Sequence, residues 1–223
     1  MLRYALLCFF AGLLAGCTAE SDKQAGETEP ATAGAQFSQD TILYHDAAEK
    51  LIADFSRELK GELMAALSSG DAVDAIAVCR NMAPEIASRY ATGNWSIRRV
   101  SDRNRNPNNR ADTMQAVILS RFADTSAAPY MESWTIADSV SIYRFYKPIR
   151  TVPLCLKCHG DVQTLAPGVF EALKRQYPLD KATGYRSDEL RGMFVVQATW
   201  PDGRAFAEQI LTDSLEFLLP DTQ

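Results

Sequence analysis

The densest group of reactive side chains in the sequence is the pentapeptide CLKCH, in which Cys155 and Cys158 enclose two residues and His159 follows directly. Thiolates and imidazoles bind metals, and a pair of thiols can also form a disulfide or add to another molecule. Three chemistries therefore compete for this motif: a structural zinc site, a redox-active thiol pair and the covalent attachment of c-type haem.

The first two chemistries lack the residues that they need. Structural zinc takes four ligands, usually Cys and His. The chain has two histidines, His45 and His159, and no second CxxC, so zinc would have to be assembled from scattered residues. A thioredoxin-like pair is expected in a βαβ pattern, which does not surround CLKCH, and it leaves His159 unexplained.

Haem attachment uses all three side chains of the motif. The thiols of Cys155 and Cys158 add to the haem vinyl groups, and the adjacent His159 binds the iron as the proximal ligand. One covalently bound haem c is the interpretation that we favour. It requires export, because c-type haem is attached outside the cytoplasm.

The N-terminal sequence MLRYALLCFFAGLLAGC has the features of an export signal. A positive residue, Arg3, precedes a short apolar run and a small-residue cleavage site, and the run is too short to span a bilayer. The sequence LAGC resembles the lipobox of bacterial lipoproteins. That resemblance implies a signal peptide over residues 1–16 and a lipid on Cys17, which would anchor the chain to a membrane without a transmembrane helix. Thr18 in the next position favours the outer membrane, facing the periplasm.

Composition divides the rest of the chain into a tether and one domain. Residues 17–37 contain almost no large apolar side chain and are predicted to be flexible. Residues 38–223 suffice for one domain of ordinary size. The net charge of −5 and the pI near 5.1 argue against nucleic acid as a partner.

The first half of the domain has helical patterns. Apolar residues recur every four positions between Leu43 and Leu63, which predicts one long amphipathic helix over residues 38–69. A second helix is predicted around Cys79. It should bend or restart at Pro84, because proline disrupts a helix interior.

The second half has mostly strand patterns. Strands are predicted over residues 95–101, 139–150 and 189–200, with Pro148 ending the second of them. Helices should begin at Asp112, cover residues 168–178 and close the chain. Helices first and strands later predict an α+β fold, with an antiparallel sheet packed against the long helix and further helices at its flanks.

One further thiol, Cys79, is left once haem occupies the other two and Cys17 carries lipid. It is either a small buried apolar side chain or a distal thiolate ligand of the iron. His45 competes for the same role, as do the methionines Met64, Met82, Met114, Met131 and Met193. Residue chemistry leaves the distal position open between Cys79, His45 and no ligand.

Four segments together resemble the Tll0287-like haem domain family (DUF3365): AIAVCRNMAPEIA, RRVSDRNRNPNN, YRFYKPIRTVPLCLKCHG and YPLDKATGYRSDELRGMFVV. The resemblance implies a PAS-like fold with one covalent haem c in a periplasmic or membrane-anchored protein. It implies His159 as the proximal ligand and Cys79 as the distal ligand. The chain has NNRAD where family members more often have NNAPD.

Five arginines crowd the segment between residues 98 and 110, and we expect Arg99 and Arg105 to neutralise the haem propionates.

Iron held by two protein ligands has no open position, so we do not expect an enzyme; peroxide removal after Cys79 dissociates is the weakest alternative. The expected function is redox or small-ligand (gas) sensing, and the alternative is a low-potential electron carrier. Either needs a separate redox or signalling partner.

Overall fold

A computed structural model describes residues 30–70, 72–124, 126 and 128–218. Its elements, in chain order, are α1 (Pro30–Ser69), α2 (Asp74–Ala77), a π-helical turn (Val78–Met82), α3 (Ala83–Arg89), β1 (Trp95–Val100), a 3₁₀ turn (Pro107–Asn109), α4 (Thr113–Phe122), β2 (Met131–Ala137), β3 (Val140–Arg150), α5 (Pro153–His159), α6 (Val169–Gln176), β4 (Leu190–Trp200) and α7 (Arg204–Leu218). The predicted signal peptide, residues 1–16, and Cys17 lie outside the described residues. Among the helices described, none combines the length and apolar character of a membrane span.

The four strands form one antiparallel sheet in the order β1-β4-β3-β2. Neighbouring residues of a strand face opposite sides, so each strand serves two cores. On one face Phe145 and Val196 pack with residues of α1, and on the other Tyr146 and Val195 pack with residues of α4. The predicted α+β fold, with its long N-terminal helix and flanking helices, is therefore confirmed.

Helix α1 begins at Pro30, eight positions before the predicted start at residue 38. Residues 30–37 of the predicted tether are thus helical. Proline favours the first turn of a helix, and the alanines that follow have the highest helix propensity. These two local preferences extend the helix beyond the amphipathic pattern on which the prediction depended.

Two predictions about strands were wrong. β2, with the sequence MESWTIA, was missed because its polar residues break the alternation expected of a strand. Pro148 does not end β3, which continues to Arg150. The ladder between β2 and β3 stops at Tyr146, so Pro148 lies where β3 is an edge strand and proline is tolerated.

Gly192 allows β4 to approach β1 closely. A Cβ at this position would stand nearer to the Val100 carbonyl oxygen than real Cβ atoms come, and 3.3 Å from the Ser101 Cβ. We expect Gly192→Ala to lower the free energy of unfolding by about 1–3 kcal/mol through overpacking, as measured by urea denaturation. Gly61→Ala is the matched control, because a Cβ there meets nothing within 4 Å. Equal stability of the two variants would contradict the close approach.

Candidate functional site

A cavity of about 520 Å³ lies where α1, the π-helical turn, α5 and the neighbouring ends of β1 and β4 meet. This volume is within the range of small-molecule and cofactor sites. Apolar side chains from three of these elements form much of its wall: Phe55, Leu59 and Leu63 of α1, Leu154 of α5 and Phe194 of β4.

Helix α5 brings Cys155, Cys158 and His159 to this cavity, as the sequence predicts. Pro153 starts the helix, where its missing N–H costs nothing. The carbonyl groups at its end are held by distant parts of the chain. Arg105 Nη2 donates to the Cys158 carbonyl at 2.6 Å, and the Tyr185 N–H donates to the His159 carbonyl at 2.9 Å. These two hydrogen bonds hold the C-terminal end of α5, which carries the motif, against distant segments of the chain.

The orientation of His159 is set by a backbone acceptor. Its Nδ1 lies 2.6 Å from the Ala182 carbonyl oxygen, which can only accept, so Nδ1 carries the proton. Burial, with Arg191 and Arg105 nearby, lowers the pKa of His159 well below its usual value, and the ring is neutral. The lone pair is then on Nε2. This is the state of a histidine that ligates a metal while its other nitrogen is held by a carbonyl.

Cys79 reaches the same cavity from a different element. It lies in the π-helical turn between α2 and α3, and single π turns within helices are frequent at functional sites. The side chain is half-buried and its thiol is free, as are those of Cys155 and Cys158. Burial raises the pKa of the Cys158 thiol, and Cys79 and Cys155 are close enough to contribute to that shift.

The rival distal ligands lie elsewhere. His45 packs edge-on against the rings of Tyr130 and Phe145, and its Nδ1 is 3.2 Å from Glu132 Oε2. Neither His45 nor any methionine is among the described residues that line the cavity. The described part of the chain also contains no group of three or more His, Cys, Asp or Glu side chains that could hold a metal ion.

The cavity is strongly cationic for a protein with a net charge of −5. Its described lining includes no carboxylate and six basic residues: Lys60, Arg99, Arg105, Arg150, Lys157 and Arg191. Burial lowers the pKa of both Arg99 and Arg191. Arg191 Nε is buried and has no hydrogen-bond partner among the described residues. Buried donors of this kind normally have an acceptor, and an anionic group bound in the cavity would supply one.

Arg105 lines the cavity, and its side chain is also bound within the protein. Its Nε binds Asp180 at 2.9 Å, and its Nη2 binds the carbonyls of Cys158 and Ala182. The side chains of this ion pair are 8% and 10% exposed. Two of its three nitrogens are thus committed to the protein, and Arg105 supports α5 and the acceptor of His159. Arg99, in contrast, has its guanidinium over Phe55 at 5.6 Å and makes no ion pair with a described residue.

No role was assigned from the sequence to Arg191, Asp180 or the Ala182 carbonyl. All three belong to the segment YPLDKATGYRSDELRG, which carried part of the family resemblance. Every residue has a main-chain carbonyl, so the residue type at position 182 does not indicate that its carbonyl accepts a hydrogen bond from His159. Asp180 contacts Arg105 across 75 positions of sequence, a pairing that local patterns do not reveal.

The fold and the site together define a class: an α+β domain with a four-stranded antiparallel sheet and a cationic, partly apolar cavity beside a CxxCH helix. The chain belongs to the Tll0287-like family, whose model matches residues 25–199. The crystal structure of the cyanobacterial heme-protein Tll0287 has the same fold. Its TM-score is 0.51 at 22% identity, over 78% of this chain and 99% of that one. No curated protein matches the sequence.

Proposed function

We propose that this protein binds one haem c in the cavity, attached through Cys155 and Cys158 and ligated by His159 and Cys79. One observation carries the proposal: the cavity gathers three thiols and a neutral histidine whose Nε2 lone pair is free. The structural neighbour Tll0287, a cyanobacterial heme-protein, supports it. The bound iron would supply one-electron chemistry, and the protein would hold and tune it.

The cationic lining fits the two carboxylates of a haem. Arg99 and Arg191 are half-buried on adjacent antiparallel strands, β1 and β4, and both line the cavity. We assign the propionates to these two residues. Arg105, which was predicted for this role with Arg99, would instead hold the polypeptide around the iron ligands.

We assign sensing of redox state or of a small ligand as the function that fits best. The π-helical turn that carries Cys79 is a local departure from regular helix geometry, and its thiolate bond would be the weaker of the two. Loss of that bond on reduction or on ligand entry would change the turn and, through it, α3. Tethering to the outer membrane by a lipid on Cys17 remains part of this proposal.

Electron transfer is the second candidate, because two exposed lysines, Lys60 and Lys157, lie at the cavity. These positively charged side chains would attract an acidic redox partner and accelerate its association. This function requires the axial ligation to stay the same in both oxidation states, whereas sensing requires it to change.

The test is the absorption and EPR spectrum of protein matured in the periplasm, for the wild type and Cys79→Ala. We expect low-spin thiolate signals in the ferric wild type and their complete loss in the variant. Met82→Leu is the matched control, because Met82 lies in the same π-helical turn but does not line the cavity. A variant spectrum identical to that of the wild type would rule out Cys79 as a ligand.

Carbon monoxide then separates the two functions. A ferrous wild type that binds it readily supports sensing, because Cys79 has left the iron. A ferrous form that binds carbon monoxide only after Cys79→Ala supports electron transfer.

A further inference from the structure

A second cavity, of about 650 Å³, lies on the opposite face of the sheet, between α4 and the strands. We call it the arginine groove and define it by its three arginines, Arg98 of β1, Arg121 of α4 and Arg144 of β3. We propose that the arginine groove binds a small organic anion with two or more carboxylates. This site does not depend on the haem proposal.

The strand register builds a polar row across the floor of the groove. Gln197 of β4 pairs with Ser96 on one side and with Arg144 on the other, and Arg144 pairs with Ser133 of β2. All four line the groove, so hydrogen-bonding side chains cross every strand of the sheet. The middle of a sheet normally buries apolar residues, and α4 does cover such residues in the next row, where Val195 and Tyr146 lie.

The arginines retain free donors. Arg144 donates one hydrogen bond, to Thr135 Oγ1 at 2.5 Å, and Arg98 donates one, to the Asn108 carbonyl at 3.2 Å. Arg121 has no side-chain hydrogen bond or ion pair with any described residue. A guanidinium carries five N–H groups in a planar fork that matches a carboxylate, so most of this donor capacity is unused.

The two carboxylates at the groove do not neutralise it. Asp112 caps α4, where its side chain accepts from the Gln115 N–H at 2.8 Å. Glu132 is committed to Tyr143 and His45, at 2.6 and 3.2 Å. Tyr143 belongs to the core on the α1 face, so the Glu132 carboxylate faces away from the groove. Three arginines against two carboxylates leave the groove with a net positive charge on an acidic protein, and a polycarboxylate matches that charge.

The wall formed by α4 is partly apolar and open. Met114 and Val117 are 66% and 48% exposed and line the groove beside the arginines. A ligand with a short hydrocarbon frame between its carboxylates would contact this wall while its charges meet the floor. Inorganic anions would use the arginines alone.

Calorimetric titration of the full chain with citrate tests the proposal. We expect one site, and about tenfold or greater weakening in Arg144→Gln, because a charge-assisted hydrogen-bond pair is lost. Arg121→Gln should weaken binding similarly, and its exposed side chain makes a folding defect negligible. Arg175→Gln, an exposed arginine on α6 outside the groove, is the matched control and should bind as the wild type does.

One measurement locates the ligand. Citrate should shift the NMR signal of the Gln197 side-chain amide, because Gln197 lines the arginine groove. The proposal is overturned if neither citrate nor succinate binds at millimolar concentration, or if inorganic phosphate binds more tightly than both. Unchanged affinity in Arg144→Gln and Arg121→Gln would also overturn it.

Discussion

Arg105→Ala should lower the free energy of unfolding by about 3–5 kcal/mol, because it leaves the Asp180 carboxylate buried without its partner. The ion pair is almost fully enclosed, with side chains 8% and 10% exposed. The substitution also removes the donor to the carbonyls of Cys158 and Ala182. Urea denaturation of the two proteins, under identical conditions, measures the loss.

Two variants separate charge burial from a general effect of losing an arginine. The double variant Arg105→Ala with Asp180→Ala should recover part of the stability, since no unpaired charge stays buried. Arg89→Ala is the matched control: Arg89 pairs with Glu58 and Glu85 but is 45% exposed. Its loss should cost about 0–1 kcal/mol. Equal costs for Arg89→Ala and Arg105→Ala would contradict the structural role of Arg105.

Replacing both Cys155 and Cys158 by alanine should abolish covalent haem retention entirely, according to the haem assignment proposed above. The two thioether bonds are the covalent link, and without them His159 and Cys79 would hold the group only by coordination. The measurement is the fraction of haem that stays with the polypeptide after acid–organic extraction. It should fall from nearly all to none.

Cys79→Ala is the control for this experiment, because Cys79 is assigned to the iron and not to the vinyl groups. It should keep covalent haem while its EPR spectrum changes. Covalent haem that survives in the Cys155→Ala, Cys158→Ala protein would show that the attachment sites were assigned wrongly. Wild-type protein that never acquires haem would instead contradict the proposed function itself.

The elements that could be predicted from sequence are those whose patterns are local. β1 and β4 follow from β-branched and aromatic runs, and α4 follows from the capping residue Asp112, which forms a full capping box with Gln115. β2 could not be found, because its stability comes from pairing with β3 rather than from its own residues. The prediction that Pro148 ends β3 failed for the same reason. β3 tolerates this proline because β2 has stopped pairing with it at that point.

The candidate site shows the same difference between local sequence patterns and contacts of distant segments. CLKCH is a contiguous motif, and its three chemical side chains could be assigned before any fold was known. Cys79 could be chosen over His45 only through the family resemblance. The two are placed in different parts of the fold by the packing of α1 and the π-helical turn. The partner of Arg105, Asp180, lies in a distant segment of the chain, and local sequence patterns could not reveal this ion pair.

The acceptor that orients His159 is a main-chain oxygen, and this affects how the site tolerates mutation. A side-chain acceptor can be deleted by a single codon change, but a carbonyl is present whatever residue occupies position 182. Ala182 is fully buried, so only the size of its side chain is restricted. The imidazole orientation is therefore protected from point mutation at its contact. It is vulnerable to changes that redirect the backbone, such as loss of the Arg105 side chain that binds the same carbonyl, or insertions and deletions in the segment between α6 and β4.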